Sequence, residues 1–275
     1  MDDWLRGTSR PVKLTRIDTT VPNVARVWNY LVGGRDNFEA DRQAAKQLIA
    51  VAPVISDIGP ASRAFMSRVV RFLADEAGIR QFLDIGTGIP TAGNTHEVAQ
   101  AIASDSRIVY VDNDPVVLVH ARALLRSAPE GVTSYLDADA RDPSKIIASS
   151  RLTLDFEQPV ALVLIDILNF IEGTGDEIGA LLRVLLDAVP SGSYLVVSQP
   201  ANDLDDSVLA AQQRWNQLAS ATPVWLRDRG TVTAWFDGLE LVEPGIVEVD
   251  KWRPVNGDRE YPGVMPLYGA VGRKP

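Results

Sequence analysis

Short apolar segments alternate with amphipathic ones through most of this 275-residue chain. The apolar segments are rich in β-branched residues and apolar on both sides, which is typical of buried parallel strands. The amphipathic segments repeat their apolar residues with helical spacing. The predicted strand–helix units are 81–85 with 95–104, 108–111 with 115–125, 134–136 with 143–149, 160–165 with 176–189, and 193–198 with 207–219. Repeated units of this kind predict a doubly wound α/β sheet with right-handed crossovers.

The pattern changes after Pro223, where two strands follow each other without a helix between them. These strands are predicted at 238–247 and 266–272, joined by a loop. They would form an antiparallel hairpin at the end of the sheet, and the sequence therefore predicts seven strands.

The first part of the chain predicts a helical cap. Residues 24–51 have helical periodicity that is interrupted at Gly33-Gly34, which indicates two helices around a tight turn. Pro53 and Gly59-Pro60 predict further breaks before a third helix at 63–77. Residues 1–20 lack periodicity and indicate a partly ordered arm. We therefore expect an arm and helical cap over 1–77 and an α/β core over 78–275, packed as one structural unit.

Asp84 lies near the end of the first strand, and the turn that follows contains Gly86, Thr87 and Gly88. Glycines at these positions let the backbone approach a ligand closely. A dinucleotide fingerprint would place a third glycine at position 91, where this chain has threonine. The pattern favours a ligand with an amino-acid tail and no diphosphate, and an ordinary strand-to-helix turn is the structural alternative.

An acid ends the second strand. Asp112 is followed by Asn113, and an acid at this place can accept hydrogen bonds from both hydroxyls of a ribose. Asp114 and Pro115 are explained as the N-cap and first residue of the next helix. The sequence thus predicts a nucleoside-binding crevice with Asp112 and Asn113 beside the glycine turn.

A second acid follows the third strand at Asp139, with Ala140 next to it. The carboxylate of Asp139 could accept from an adenine amino group while the backbone N–H of Ala140 donates to the ring. Asp142 is explained by capping the following helix, and this leaves Asp139 and Ala140 as candidates for adenine binding.

The loop after the fourth strand contains Asp166 and Asn169. Loops at this edge of open α/β sheets hold reacting groups, so both side chains are candidates to orient a substrate or the amino group of the ligand. Leu168 and Phe170 could form the wall of an apolar pocket. A solvated aspartate and a packed phenylalanine are the alternative interpretation.

The turn at Gly33-Gly34 is flanked by aromatic and polar side chains, including Tyr30 and Arg35. A plain amphipathic helix has no need of two adjacent glycines. We interpret this segment as a lid that brings Tyr30 and Arg35 to the cofactor or acceptor. The alternative is a corner that only packs against the sheet.

These motifs, in this order and followed by a terminal hairpin, resemble the class I S-adenosylmethionine-dependent methyltransferases over residues 78–275. The segments VWNYLVGGRDNF, QFLDIGTGIPT, WFDGLELVEPG and WRP resemble a bacterial family of S-adenosyl methyltransferases of unassigned substrate over nearly the whole chain. The resemblance implies the seven-stranded Rossmann-like methyltransferase sheet and S-adenosyl-L-methionine as cofactor. It also implies that Asp84, Gly86 and Gly88 line the methionine part, Asp112 the ribose, and Asp139 with Ala140 the adenine.

The composition of the chain bears on metal sites, nucleic-acid binding and membrane association. The chain has no cysteine and only two histidines, so thiolate and multi-histidine metal sites are excluded and we expect no metal. The net charge of −9 does not favour nucleic-acid binding. No apolar run approaches the roughly 18 residues that span a bilayer, and no signal sequence begins the chain. We therefore expect a cytoplasmic protein without a membrane partner.

The sequence favours a methyltransferase that acts on a small molecule through an oxygen or nitrogen nucleophile. Tyr30, Asp166 and Asn169 are the catalytic candidates. A binding protein that senses S-adenosylmethionine is a second hypothesis. An NAD-dependent oxidoreductase is a third, opposed by the missing third glycine and the terminal hairpin. The acceptor and the oligomeric state stay open at this stage.

Overall fold

The computed structural model describes residues 17–124, 127–218 and 222–275. The predicted arm therefore lies mostly outside the described residues. The helices are α1 Val24–Leu31, α2 Glu39–Val51, α3 Ile55–Asp75, α4 Thr95–Ile102, α5 Pro115–Leu124, α6 Pro143–Ser150, α7 Gly175–Asp187, α8 Asp206–Asn216 and α9 Arg229–Ala234. The strands are β1 Gln81–Ile85, β2 Arg107–Asp112, β3 Val132–Asp137, β4 Ala161–Ile165, β5 Tyr194–Pro200, β6 Glu240–Leu241, β7 Val247–Glu248 and β8 Leu267–Arg273.

One mixed sheet carries these strands in the order β3-β2-β1-β4-β5-β8-β6, and β7 also pairs with β8. The pairs among β1 to β5 are parallel, and β8 runs antiparallel to β5. The predicted doubly wound sheet with an antiparallel end is confirmed. Its strand count differs from seven because the predicted strand 238–247 turns at Gly245, whose N–H bonds the carbonyl of Val242 at 2.9 Å. This turn separates β6 from β7, and the described sheet has eight strands.

Helices cover both faces of the sheet. Along β1, Phe82 belongs to the apolar cluster under α3 and α4, whereas Leu83 belongs to the cluster under α6, α7 and α9. The same alternation holds at Ile108 and Val109 in β2, because successive side chains of a strand point to opposite faces. This two-sided burial explains why the strands are apolar throughout, and it leaves the strand ends as the place for polar chemistry.

Helix α3 is longer than the sequence predicted. The break expected at Gly59-Pro60 is wrong, because α3 begins at Ile55 and continues through Pro60. A proline this near the helix start removes one hydrogen bond of the first turns, and buried Ile58 and Ala61 on either side pack in the core. Gly59 permits a close crossing with α1, since a Cβ there would lie 3.1 Å from the carbonyl carbon of Leu31.

A buried ion pair holds the helical cap together. The Nε of Arg26 in α1 donates to Oδ2 of Asp41 in α2 at 2.8 Å, and both side chains are buried. The same carboxylate accepts from the backbone N–H groups of Asn23 and Phe38. The two predicted helices around Gly33-Gly34 are confirmed, and the pair fixes the angle between them.

Across the described ranges, no single helix combines the length and apolar character needed to cross a membrane.

Candidate active site

The strand ends form a crevice of about 300 Å³ where β1, β2 and β4 finish. Crevices at the carboxyl ends of parallel strands are the usual ligand sites of open α/β sheets. Five aspartates and two arginines line it: Asp84, Asp112, Asp114, Asp139, Asp166, Arg63 and Arg141. This excess of carboxylates makes the crevice suited to a ligand that carries positive charge.

The glycine turn forms one wall of the crevice. Gly86 has a φ of +81°, and a Cβ there would lie 2.4 Å from Cγ1 of Ile167. Gly88 has a φ of +64°, and a Cβ there would meet nothing within 4 Å. Between them, Thr87 forms a hydrogen bond of 3.1 Å with the hydroxyl of Tyr135. Gly86 is thus required for packing, and Gly88 leaves open space beside the backbone, where a ligand can approach.

Asp84 lies at the floor of the crevice. Its Oδ2 accepts from Oγ1 of Thr95 at 2.5 Å. Burial raises the pKa of Asp84 to about 6, although Thr95 and the charge of Arg63 act in the opposite direction. A buried carboxylate with one hydroxyl donor is a strong binding partner for an ammonium group, which would restore its full negative charge.

Arg63 is a site residue that sequence reasoning missed. It stands on α3, and its guanidinium donates to the backbone carbonyls of Ala92 and Gly93 at 3.0 and 2.9 Å. It lines the crevice together with Asp84. A guanidinium and a carboxylate that line one space can hold the two charges of an amino acid. No motif marks Arg63 in the sequence, because one arginine on an amphipathic helix looks like any other.

Asp112 is held by two backbone donors. Its Oδ2 accepts from the N–H of Gly88 and its Oδ1 from the N–H of Asp114, both at 2.9 Å. Burial raises the pKa of Asp112, and these two hydrogen bonds oppose the rise. Each carboxylate oxygen keeps further acceptor capacity. The geometry therefore presents a fixed pair of acceptors at the end of β2.

Asp139 is part of a polar cluster with Asn113 and Arg141. The Nη2 of Arg141 lies 2.6 Å from Oδ2 of Asp139, and Nδ2 of Asn113 donates to the same oxygen at 3.1 Å. The hydrogen bond from Arg141 lowers the pKa of Asp139 to about 2. Ala140 lines the crevice beside it. The structure therefore brings Asn113, Asp139 and Ala140 to one end of the crevice, with Arg141 as an unforeseen partner.

Asp166 adopts a strained backbone, with a φ of +53° that is uncommon outside glycine. Its carboxylate accepts from Ser62 of α3 and, at 2.7 Å, from Ser198 of β5. Burial raises the pKa of Asp166 to about 6. The carboxylate is thus fixed by two hydroxyls at the end of β4, where Asp166 lines the crevice.

Asn169 lies beyond the crevice, in a 3-10 turn at Leu168–Phe170. It lines a second, apolar cavity of about 110 Å³ rather than the first. Val24, Trp28 and Phe170 line both spaces. Asp166 and Asn169, predicted as neighbours in one loop, are therefore separated into two adjoining compartments by the wall that these residues form.

Tyr30 and Arg35 do not line either space. Tyr30 packs against the apolar cluster between α1, α2 and α8, and Arg35 is exposed. Gly34 is explained by packing, since a Cβ there would lie 2.3 Å from Nδ2 of Asn29. Trp28, two residues before Tyr30, contributes the aromatic side chain of α1 to the crevice. Closure of this segment on ligand binding stays a prediction.

Known proteins similar to this chain include a family of methyltransferases and solved structures of the same fold. The model of the S-adenosyl methyltransferase family matches residues 11–275. A DUF574 family protein from Streptomyces avermitilis is 44% identical, with a TM-score of 0.90, over 94% of this chain and all of that one. A Thermobifida fusca protein with a provisional methyltransferase assignment is 37% identical, with a TM-score of 0.83, over 94% of this chain and 96% of that one.

A methyltransferase from Anabaena variabilis that depends on S-adenosylmethionine is 14% identical, with a TM-score of 0.50 over 96% of this chain and all of that one, and shows the fold alone. Comparison with curated proteins found no match. The predicted methyltransferase class is confirmed by the family match over nearly the whole chain. The chain belongs to the S-adenosyl methyltransferase family, whose methyl donor is S-adenosylmethionine.

Proposed function

We propose that the enzyme methylates an oxygen or nitrogen nucleophile of a small molecule. The observation that carries this proposal is the junction of a polar crevice and an apolar cavity, which share Val24, Trp28 and Phe170 as lining. The helical cap covers the crevice from the N-terminal side, since Asn23 also lines it. A space closed in this way suits a small acceptor better than a macromolecule.

The crevice residues fit the donor by charge and shape. Arg63 and Asp84 would hold its carboxylate and ammonium, and the turn at Gly86 to Gly88 would accommodate close approach of its amino-acid tail. Asp112 would accept from the ribose hydroxyls. Asp139 and the N–H of Ala140 would bind the adenine edge, with Asn113 orienting Asp139. The carboxylates at the crevice also compensate the positive charge of the sulfonium.

S-adenosylmethionine supplies a methyl group that its sulfonium has already activated. The acceptor's lone pair would form the new bond to the methyl carbon while the carbon–sulfur bond breaks and its electron pair stays on sulfur. The protein's task is to align these atoms and to exclude water. Asp166, whose carboxylate is held by Ser62 and Ser198, would orient the acceptor or accept its proton.

The test is a transfer assay with methyl-labelled S-adenosylmethionine and a collection of small hydroxyl and amine compounds. We expect labelled product and S-adenosylhomocysteine in equal amounts for at least one compound. Asp166→Asn should lower turnover while S-adenosylhomocysteine affinity, measured by calorimetry, stays close to that of the unmodified protein. Tight donor binding without transfer to any compound, together with transfer to protein or nucleic acid, would contradict the proposal.

A further inference from the structure

An apolar cavity adjoins the crevice on the side of α1, α3 and α8. Three aromatic rings line it, from Trp28, Phe170 and Trp215. Among the residues that the structure describes, none with a charged side chain lines it, and Asn169 and Gln212 are the polar ones. A ligand that enters this cavity must therefore be mostly apolar, and flat faces of aromatic rings favour a planar one.

The cavity and the crevice adjoin each other and are lined by the same elements. Helix α3 lines both, since Ile55 and Ile58 face the cavity and Ser62 and Arg63, one turn later, face the crevice. Phe170 of the 3-10 turn lines both from the other side. A molecule in the cavity would thus lie next to the donor site and next to Asp166, which bonds Ser62.

Asn169 lines this cavity and carries a buried acceptor without a partner in the described part of the chain. It is 4% exposed, and its Oδ1 has no hydrogen-bond partner among the residues that the structure describes. Its backbone carbonyl accepts from the N–H of Trp225 at 2.7 Å, which fixes the turn. Gln212 is already engaged, because its Nε2 donates to the carbonyl of Val224 at 2.6 Å. A buried amide oxygen without a donor is costly to the protein, and a ligand hydroxyl or N–H would satisfy it.

We propose that the methyl acceptor is a neutral, planar molecule of about one aromatic ring that donates a hydroxyl or N–H hydrogen bond to Oδ1 of Asn169. The inference rests on the methyl-transfer function proposed above and names its substrate class. The cavity volume of about 110 Å³ suits a single ring, since a cavity of about 150 Å³ in another protein binds benzene. An anionic ring is disfavoured because the described lining of the cavity contains no cation and the crevice beside it contains five aspartates.

The experiment uses phenol, benzene and benzoate as probes, titrated into the full chain saturated with S-adenosylhomocysteine and followed by ligand-detected NMR. We expect phenol to bind about threefold to tenfold more tightly than benzene, the value of one net hydrogen bond, and benzoate to bind more weakly than either. Equal affinity for phenol and benzene, or preferred binding of benzoate, would overturn the inference.

Two variants locate the binding site. Asn169→Leu keeps the branch at Cγ, with a larger side chain, and removes the acceptor. The readout is the ratio of the two affinities, and the preference for phenol over benzene should disappear. Ala211→Leu fills the cavity from α8, so both probes should bind more weakly. Asn256→Leu, an exposed asparagine remote from the cavity, is the matched control and should keep the phenol preference. Thermal unfolding reports whether each variant is folded.

The titration also separates this inference from the proposed function. Failure of S-adenosylhomocysteine itself to bind in calorimetry would contradict the donor site. The acceptor class alone would be contradicted by two results obtained while S-adenosylhomocysteine binds normally. One is equal affinity for phenol and benzene, and the other is a preference for phenol that Asn169→Leu leaves unchanged.

Discussion

The Nδ2 of Asn23 donates to Oδ2 of Asp114 at 2.7 Å, and this bond joins the helical cap to the loop after β2. Asn23 is also the N-cap of α1, where its Oδ1 accepts from the N–H of Arg26 at 3.1 Å. Asp114 in turn donates its backbone N–H to Asp112. One side chain thus positions the cap against the loop that presents the proposed ribose carboxylate.

Asn23→Ala should destabilise the protein by about 1–2 kcal/mol, because it removes a helix N-cap. It should also weaken S-adenosylhomocysteine binding, because the cap is no longer joined to Asp114. Asn23→Ser is the matched control, since serine can cap α1 but is too short to reach Asp114. Chemical denaturation and calorimetry separate the two effects: the serine variant should recover stability and not affinity. Recovery of both would contradict a role for the bond to Asp114.

Asp112→Ala should weaken S-adenosylmethionine binding by about tenfold or more, because hydrogen bonds to a charged group are each worth roughly 1.5–3 kcal/mol. Asp137→Ala is the control. It removes an exposed acid at the end of β3 that is the register partner of Asp112. Calorimetry should show a loss for the first variant and little change for the second. Equal affinities of the folded variants would exclude Asp112 from the ribose site.

The raised pKa of Asp84 predicts that the affinity for S-adenosylmethionine and the stability of the free protein both depend on pH. Its ionised form is the one that binds an ammonium, so donor affinity should fall as the pH drops below about 6. In the free protein, burial raises the pKa above its ordinary 3.8, so the folded state holds the proton more tightly than the unfolded state. The burial of Asp84 therefore does not destabilise the protein below about pH 4. The destabilisation grows between about pH 4 and pH 6 and is complete above about pH 6.

Asp84→Asn should therefore stabilise the free protein at pH 7.5, by on the order of 2 kcal/mol, while it abolishes tight donor binding. Thermal unfolding as a function of pH measures the first effect, and the gain should vanish at pH 4. Calorimetry measures the second. A less stable variant at pH 7.5, or one that binds the donor normally, would contradict the assignment of Asp84.

The buried pair of Arg26 and Asp41 should dominate the stability of the cap. Asp41→Asn leaves the Arg26 guanidinium buried without a counter-ion, and we expect a loss of about 3–5 kcal/mol. Glu76→Gln is the control, since it removes one member of an exposed pair with Arg253 and should cost less than about 1 kcal/mol. Similar losses in urea denaturation for both variants would show that burial of the pair has no special weight.

The sequence by itself determined the α/β alternation and the edge of the sheet where the chemistry lies. Apolar periodicity is local, so strands such as β2 and β4 could be located within a few residues. Parallel strands end at one edge, and this placed Asp84, Asp112, Asp139 and Asp166 along the crevice. The residues that follow strands were predictable because their position depends on strand direction rather than on helix packing.

Only the tertiary structure decided which helical side chains complete the site. The crossing of α1 over α3 turns Trp28 toward the crevice and Tyr30 toward an apolar cluster, although both lie on the same short helix. Arg63 lines the crevice together with Asp84 because α3 packs against the sheet beside β1 and β4. The tertiary structure also places Asn169 in a cavity separate from the crevice. Such choices depend on long-range packing between segments far apart in sequence, which no local periodicity encodes.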